Sequence, residues 1–215
     1  MPLAELQDCM VRLARGDYRP IANEIPLTTV ERDWLNSLKS AAGLSVTADI
    51  QSWWRLSRLA IAVPLTVELL KRTRQEHLII DYITNAPVRT LFFAAEAEQF
   101  KQFLSEQDKL DLFIKTTAAY ECAMKNASLL SAGFSNKKTT LTPSFMEITN
   151  RSAPMSAATP LFFDRNPLKI FHALLTAQPL PEFEKEDFFL LVAPQLPNFW
   201  CKISAAEYLT LTKTD

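Results

Sequence analysis

The two histidines of this 215-residue chain, His77 and His172, are the side chains best suited to bind a metal or transfer protons near neutral pH. A mononuclear nonheme iron site needs two histidines and a carboxylate on one side of the metal, so it would have to use both. They lie far apart, and neither stands in an HxxxH, HExxH or ExxH pattern. The sequence therefore favours structural or solvent-exposed histidines, and we expect no metal or other cofactor in this chain.

Motifs for a nucleophile or a phosphate site are missing as well. Cys9, Cys122 and Cys201 are widely separated, form no CxxC pair and have no histidine nearby in sequence. There is no GxSxG, and the three glycines are too isolated to form GxGxxG or a P-loop. A Cys-His pair brought together by folding stays open, but the pattern favours buried, unreactive thiols and predicts no enzyme activity for the chain alone.

The composition is that of an ordinary globular chain with little net charge. Hydrophobic residues make up 48% and charged residues 22%, and 23 basic side chains face 24 acidic ones. A net charge of -1 offers nothing to gather nucleic acid or anionic lipid. The amino terminus has acidic residues and no basic segment leading into an apolar core, unlike a secretory signal. Together with the unpaired cysteines, these features predict a cytoplasmic protein that binds neither nucleic acid nor membrane.

Helical periodicity dominates the first two thirds of the chain. Apolar residues recur at helical spacing over 2–15, and the capping box Thr28–Glu31 predicts the start of a second helix. A further helical segment over 78–103 is interrupted near Pro87. The sequence Ser105–Asp108 is typical of a helix cap, and an amphipathic segment follows it. We therefore expect a helical subdomain over residues 1–133.

Short apolar runs separated by prolines follow, and this pattern is typical of strands joined by turns. The capping box Ser204–Glu207 predicts a short final helix. The fold class expected is α+β, with a helical amino-terminal half packed on a small, mainly antiparallel carboxy-terminal sheet. A winged-helix-like arrangement is one alternative for the helical half. Residues 134–215 form the strand-rich subdomain and share the core of the helical one. The candidate strands are Thr140–Thr149, Pro160–Phe163, Leu168–Leu175, Asp187–Val192 and Phe199–Ile203.

The segment 51–70 begins with two tryptophans and contains a proline. Charges at Arg58 and Glu68 leave too short an apolar run for a membrane span, which needs about 20 residues. We expect a helix that Pro64 kinks, because proline cannot donate the backbone hydrogen bond there. One apolar seam with helical spacing should face the core: Trp53, Leu56, Ala60, Val63, Val67 and Leu70.

A second apolar patch lies on another side of the same helix, at Trp54, Ile61 and Leu65. Either another element of this chain covers that patch or a partner protein does, and tryptophan is a typical anchor of protein interfaces.

An acidic cluster precedes the apolar run Phe188–Val192. It is formed by Glu182, Glu184, Glu186 and Asp187. A solvated loop is the ordinary interpretation of such a cluster. The alternative is an acidic rim beside an open strand edge, which could receive a basic extended peptide as an added strand.

These landmarks resemble a known family. The chain carries Trp53-Trp-Arg-Leu56, then Pro64-Leu-Thr-Val-Glu-Leu69, Pro179-Leu-Pro181, Phe188-Phe-Leu-Leu-Val-Ala-Pro194 and Pro197-Asn-Phe199. In order and spacing they resemble the C-type subunit of methanobactin biosynthesis, over most of the chain. The shared features are aromatic, proline and leucine positions and not a catalytic motif.

The resemblance implies a noncatalytic subunit paired as a heterodimer with a TIM-barrel protein that holds iron. That complex uses dioxygen to convert cysteines of a small precursor peptide into oxazolone and thioamide groups, as steps toward a copper chelator. The subunit helps to bind the precursor's leader as a strand on a sheet edge. No single leader-binding residue carries over, because no residue-level motif matches.

Two surfaces follow as hypotheses. Trp53, Trp54, Ile61 and Leu65 are the candidates for the partner interface. The edge formed by Glu182, Glu184, Glu186, Asp187, Phe188 and Phe189 is the candidate for peptide binding. The alternative from another class is a regulatory or scaffolding adaptor with a winged-helix-like half.

Overall fold

This computed structural model describes residues 3–14, 28–86, 93–133 and 158–213. These residues contain nine helices and one three-stranded antiparallel sheet. The expected α+β class, with most helices before the sheet and a short helix at the end, is confirmed. The helices are Leu3–Ala14 (α1), Thr29–Lys39 (α2), Ala42–Ala62 (α3), Pro64–Arg72 (α4), His77–Asn85 (α5), Phe93–Ser105 (α6), Leu112–Gly133 (α7), Pro167–Leu175 (α8) and Ala205–Thr212 (α9). The strands are Thr159–Phe163 (β1), Phe188–Val192 (β2) and Trp200–Ile203 (β3).

Two compact units divide these elements. The first contains α1, α2, most of α3 up to Arg58, and α5. The second contains the last turn of α3, α4, and the elements from α6 to the carboxy terminus. Helices α6 and α7 thus share a unit with the sheet. The predicted boundary at residue 133 stays a prediction, because 134–157 lie outside the described residues, as do Pro87 and the candidate strand Thr140–Thr149.

The first unit begins with two helices whose apolar side chains meet. Cys9 and Leu13 of α1 lie one turn apart and pack with Leu35 of α2. The predicted capping box is present at the start of α2, where the Glu31 carboxylate accepts the Thr28 N–H at 2.8 Å and the Glu31 N–H donates to the Thr28 hydroxyl at 3.3 Å. Local side chains therefore fix where this helix begins.

The helix predicted over residues 51–70 is divided between two helices, α3 and α4, separated at Val63. The expected kink is wrong, since Val63 has a non-helical backbone (φ -136°, ψ 61°) and Pro64 opens a new helix at its first position. Proline suits that position because the first-turn N–H groups have no partner within the helix in any case. Val63 supplies no side-chain cap. The amides at the start of α4 must therefore find acceptors elsewhere.

In the second unit, the sheet has the order β1-β2-β3. Phe163 pairs with Phe188 across β1 and β2, and Phe189 pairs with Ile203 across β2 and β3. The predicted strands at 160–163, 187–192 and 199–203 are therefore present with small shifts at their ends. Strand β2 is the central strand, which explains its continuous apolar sequence.

Each face of the sheet packs against helices. On one face Phe163 lies against Phe113 of α7 and Phe171 of α8, with ring centroids 5.4 and 6.0 Å apart. On the opposite face Phe189 lies 5.0 Å from Tyr208 of α9. The alternation along β1 and β2 sends neighbouring residues to different faces, so both faces of this small sheet carry aromatic packing.

Two predicted elements begin or fold differently. The segment Leu168–Leu175 is not a strand: Pro167 occupies the first position of α8, and the Asn166 side chain accepts the Leu168 N–H at 3.0 Å. Proline after a capping asparagine starts a helix as readily as it ends a strand. The sequence Ser105–Asp108 does not begin a helix either, because α6 ends at Ser105 and the Asp111 carboxylate caps α7 by accepting the Phe113 N–H.

Two helices end on residues with positive φ that are not glycine. After α8, Ala177 has φ 55°, and the Gln178 N–H donates to the Ala173 carbonyl at 2.9 Å. After α4, Arg74 has φ 58°, and the Gln75 N–H donates to Leu70 at 2.7 Å. Glycine is usual at this position of the motif, since a side chain there is strained. Within the described ranges, no helix is both long enough and apolar enough to cross a bilayer.

Candidate functional site

Helix α3 turns large apolar side chains toward solvent. Val46, Ile50, Trp53 and Trp54 are all exposed and recur at helical spacing, so they line one side of the helix. Trp53 is 61% and Trp54 57% exposed, and their rings meet edge to face with centroids 5.5 Å apart. This side of α3, defined by these four residues, is called the α3 apolar face below.

An arginine occupies the opposite, buried side of α3. The Arg55 guanidinium donates to the carbonyl oxygens of Ile83 and Ala86 at 2.6 and 2.8 Å, and it lies 4.9 Å from the Tyr82 ring centroid. These carbonyls belong to the carboxy-terminal end of α5, where backbone acceptors are open and a positive charge is favourable. Arg55 therefore supplies hydrogen-bond donors to the end of α5 within the same unit. The buried side of α3 carries Arg55, and the exposed side carries Trp53 and Trp54.

The predicted core seam is correct only in its second half. Val63, Val67 and Leu70 are buried, whereas Trp53, Leu56 and Ala60 are exposed. The seam assumed one continuous helix, but α3 ends before Val63 and α4 begins as a separate helix at Pro64. The assignment of Trp53 to the core is therefore wrong.

The other two residues of the predicted partner surface belong to the second unit. Ile61 is 64% exposed on the last turn of α3. Leu65 is half-buried in the first turn of α4, and its backbone N–H donates to the Glu121 carboxylate at 2.8 Å. The exposed tryptophans therefore belong to the first unit, and Ile61 and Leu65 belong to the second.

The predicted peptide-binding segment divides between a loop and the centre of the sheet. Its acidic side chains are exposed: Glu182, Glu184, Glu186 and Asp187. Phe188 is buried and Phe189 half-buried, and both belong to β2, which pairs with β1 on one side and β3 on the other. The prediction that these phenylalanines form an open edge is therefore wrong, because β2 lies between β1 and β3 and is not an edge strand.

The outer strands of the sheet carry residues that restrict strand addition. Pro160 lies in β1 and has no N–H to donate to an added strand. Strand β3 has only four residues and carries the exposed Lys202, whose ammonium lies 4.4 Å from the Phe188 ring centroid. Of the two, β3 is the strand whose residues all keep a backbone donor.

A buried carboxyl lies at the start of α4. Glu121 of α7 is only 7% exposed, and it accepts the Leu65 and Thr66 N–H groups, each at 2.8 Å, and the Thr66 hydroxyl at 2.7 Å. Burial raises the Glu121 pKa to about 7, against the lowering effect of these hydrogen bonds and of Lys125. The carboxyl thus supplies the acceptors that Val63 lacks at the first turn of α4.

Lys125 holds the other side of the same break. One turn along α7 from Glu121, its ammonium donates to the carbonyl oxygens of Ile61 and Ala62 at 3.2 and 3.0 Å. These carbonyls end α3, where a positive charge suits the helix dipole, while the Glu121 oxygens lie at the start of α4. We call the break, with Glu121 and Lys125, the α3–α4 joint.

Sequence reasoning missed both residues of this joint. The available signal was a glutamate four residues before a lysine on a helix, next to an apolar stretch. That spacing usually marks an exposed ion pair. The partners of Glu121 lie 55 and 56 residues away in sequence, so local patterns do not connect them.

The two histidines belong to different units. His77 and His172 are exposed, and no cluster of three potential metal ligands exists in the described parts of the chain. Burial raises the pKa of Cys122 to about 12 and raises that of Cys201, so both thiols are protonated at neutral pH.

No protein-family model, curated protein or solved structure matches the chain.

Proposed function

We propose that this chain is a noncatalytic subunit that binds a partner protein through the α3 apolar face. The supporting observation is the sidedness of α3, which buries Arg55 and exposes Trp53 and Trp54. Contiguous exposed apolar patches of this kind are uncommon on proteins that act alone, and tryptophans dominate the binding energy of many interfaces. The edge-to-face contact between the two rings limits their motion and so reduces the entropy lost on binding.

For the partner, we propose a TIM-barrel subunit that holds iron, as the resemblance to the C-type subunit of methanobactin biosynthesis implies. The complex would use dioxygen to convert cysteines of a precursor peptide into oxazolone and thioamide groups. In this arrangement the metal ligands belong to the partner, and the present chain contributes binding surfaces. Ile61 and Leu65 remain candidates for a further contact with that partner.

The precursor's leader would add as a strand to β3 in this proposal. Strand β2 is paired on both sides, and Pro160 removes a donor from β1, which leaves β3 as the better template. The acidic side chains at Glu182, Glu184, Glu186 and Asp187 would attract basic residues of the leader. With only four residues in β3, side-chain contacts must supplement the backbone pairing.

The experiment is copurification of this chain with the product of its neighbouring gene. Iron content, oxygen uptake and affinity for the adjacent short cysteine-containing peptide are then measured on the complex and on the single chain. We expect iron and oxygen uptake only in the complex. A protein that stays a monomer and binds neither the product of the neighbouring gene nor the peptide would contradict the proposal. A stable complex without iron or oxygen uptake would favour the adaptor alternative.

Variants connect this outcome to α3. Trp53→Ala and Trp54→Ala should each weaken the complex by about tenfold or more while the chain keeps its melting temperature. Ile80→Ala is the matched control, since Ile80 is also apolar, 62% exposed and in the same unit. Equal affinities for the tryptophan variants and the control would show that the α3 apolar face is not the interface. A large drop in the melting temperature of the isolated Trp54→Ala chain would show that Trp54 is a core residue.

A further inference from the structure

The α3–α4 joint closes with an ionisable group that has no direct ion-pair partner. Glu121 forms no ion pair within the residues that the structure describes, because Lys125 directs its ammonium to the Ile61 and Ala62 carbonyls. The carboxyl is nonetheless buried against α4. Without a paired cation, the ionised carboxyl costs more free energy to bury than the neutral one, and the three hydrogen bonds it accepts offset part of that cost.

We propose that the α3–α4 joint is a pH-sensitive device, closed while the Glu121 carboxyl is neutral and shifted toward an open arrangement when it ionises. In the open arrangement the carboxylate is hydrated, and the Leu65 and Thr66 N–H groups lose their acceptor. The Thr66 hydroxyl lies 2.7 Å from the Glu121 carboxyl. It can donate to the ionised carboxylate or accept a hydrogen bond from the protonated carboxyl, so the closed form accommodates the neutral acid.

The neighbours of Glu121 define which charges act on it. Along α7 these are Lys125, which lowers the Glu121 pKa, and Tyr120 and Cys122, whose pKa values are raised mainly by burial and to a smaller extent by Glu121. On α6, Glu98 and Lys101 form an ion pair with each other and act on the Cys122 thiol. Strands β1 and β2 contain no ionisable side chain, and α4 presents the Thr66 hydroxyl and backbone amides.

The direction of the response follows from proton linkage. Glu121 has a pKa of about 7 in the closed joint, against 4.5 for a solvated glutamate. Between these values the closed joint holds more protons than the open one, so raising the pH favours opening. One proton corresponds to roughly a tenfold change in the opening equilibrium per pH unit, and the response ends above the closed-state pKa.

Amide hydrogen exchange of Leu65 and Thr66 measures this opening, because their recorded acceptor is Glu121. We expect their opening constants to rise by roughly tenfold per unit from about pH 5 and to level off near neutrality. Carbon NMR of the Glu121 carboxyl should show titration close to neutrality in the unmodified chain. A carboxyl that titrates like a solvated glutamate, or opening constants that ignore pH, would overturn the proposal.

Variants separate the device from a purely structural contact. Glu121→Gln removes the titrating group, so the two amides should lose their pH dependence while staying less protected throughout. Lys125→Met should move the midpoint of the Glu121 titration to higher pH, since the ammonium lowers its pKa. Because Lys125→Met keeps Glu121 itself, its carboxyl titration tests the proposal even if Glu121→Gln does not fold. Glu31→Gln, in the exposed capping box of α2, should leave the Leu65 and Thr66 profile unchanged, and a change there would also contradict the assignment.

Discussion

The Glu121 carboxyl accepts both the backbone N–H and the hydroxyl of Thr66, at 2.8 and 2.7 Å, although 55 positions separate the two residues in sequence. Most helices begin on a cap from the adjacent residue. Here Val63 has no capping side chain, and a distant helix supplies the acceptor. The start of α4 therefore depends on tertiary structure, in contrast to α2 and α9, which begin on their own capping boxes.

Glu121→Ala should destabilise the chain by about 2–4 kcal/mol, because it leaves the buried Thr66 amide and the half-buried Leu65 amide without an acceptor and opens a cavity. Thr66→Val removes only the hydroxyl contact and should cost about 1–2 kcal/mol. Urea unfolding measures both. Glu207→Ala, which removes an exposed local cap on α9, should have a smaller effect, and an equal loss for the two glutamates would contradict the tertiary role of Glu121.

Arg55→Ala should destabilise the first unit by about 2–4 kcal/mol, since two α5 carbonyls lose a charged donor and Tyr82 loses its cation contact. Hydrogen exchange of α5 amides in the variant measures the effect where it occurs. Arg55→Lys keeps the charge but not the two-pronged geometry, and it should recover only part of the stability. Unchanged α5 protection in Arg55→Ala would show that the bonds contribute little.

Trp53→Ser and Trp54→Ser should change the free energy of unfolding by less than about 1 kcal/mol, because both indoles are largely exposed. Phe163→Ala provides the comparison: this ring is fully buried between α7 and α8, and its loss should cost about 3–5 kcal/mol. Thermal and urea unfolding of the single chain give both values. A large loss in either tryptophan variant would place that ring in the core.

Ala177→Gly should stabilise the chain by about 0.5–1 kcal/mol, because residue 177 has φ 55° at the end of α8. The exposed methyl group of Ala177 contributes little that would be lost. Ala206→Gly, inside the ordinary helical geometry of α9, should have the opposite sign. Chemical unfolding of both variants measures the difference, and destabilisation by Ala177→Gly would mean that the strain is absent.

Cys122 should resist thiol reagents in the folded chain, because burial raises its pKa to about 12 and excludes the reagent. Ellman's reagent should modify it at a rate limited by opening of the structure. Cys201, half-buried with a raised pKa, should react sooner than Cys122 but more slowly than a free thiol. Immediate modification of Cys122 at neutral pH would contradict its placement in the core.

Local signals account for much of the fold. The capping boxes at Thr28–Glu31 and Ser204–Glu207 were predictable because donor and acceptor lie three residues apart. The segment 167–175 was less so, since an asparagine and a proline ahead of a short apolar run fit the edge of a strand as well as the first turn of a helix. Only the packing of Ile170 and Phe171 in the core selects the helix.

The candidate sites depend on information that local sequence lacks. Periodicity identifies which residues share a side of α3, but it does not say which side faces inward. That choice is made by the carbonyls of Ile83 and Ala86, which receive Arg55. In the same way, the break at Val63 is completed by Glu121 and Lys125 from α7, beyond the reach of any short pattern.

The sidedness of α3 has a consequence for biogenesis. Because Trp53 and Trp54 are exposed, the chain is prone to self-association when nothing covers the α3 apolar face. Chains left over would be targets for chaperones and proteases. Under the proposed function, we therefore expect cellular abundance to follow the supply of the partner more closely than the rate of synthesis, so that coexpression raises the soluble yield.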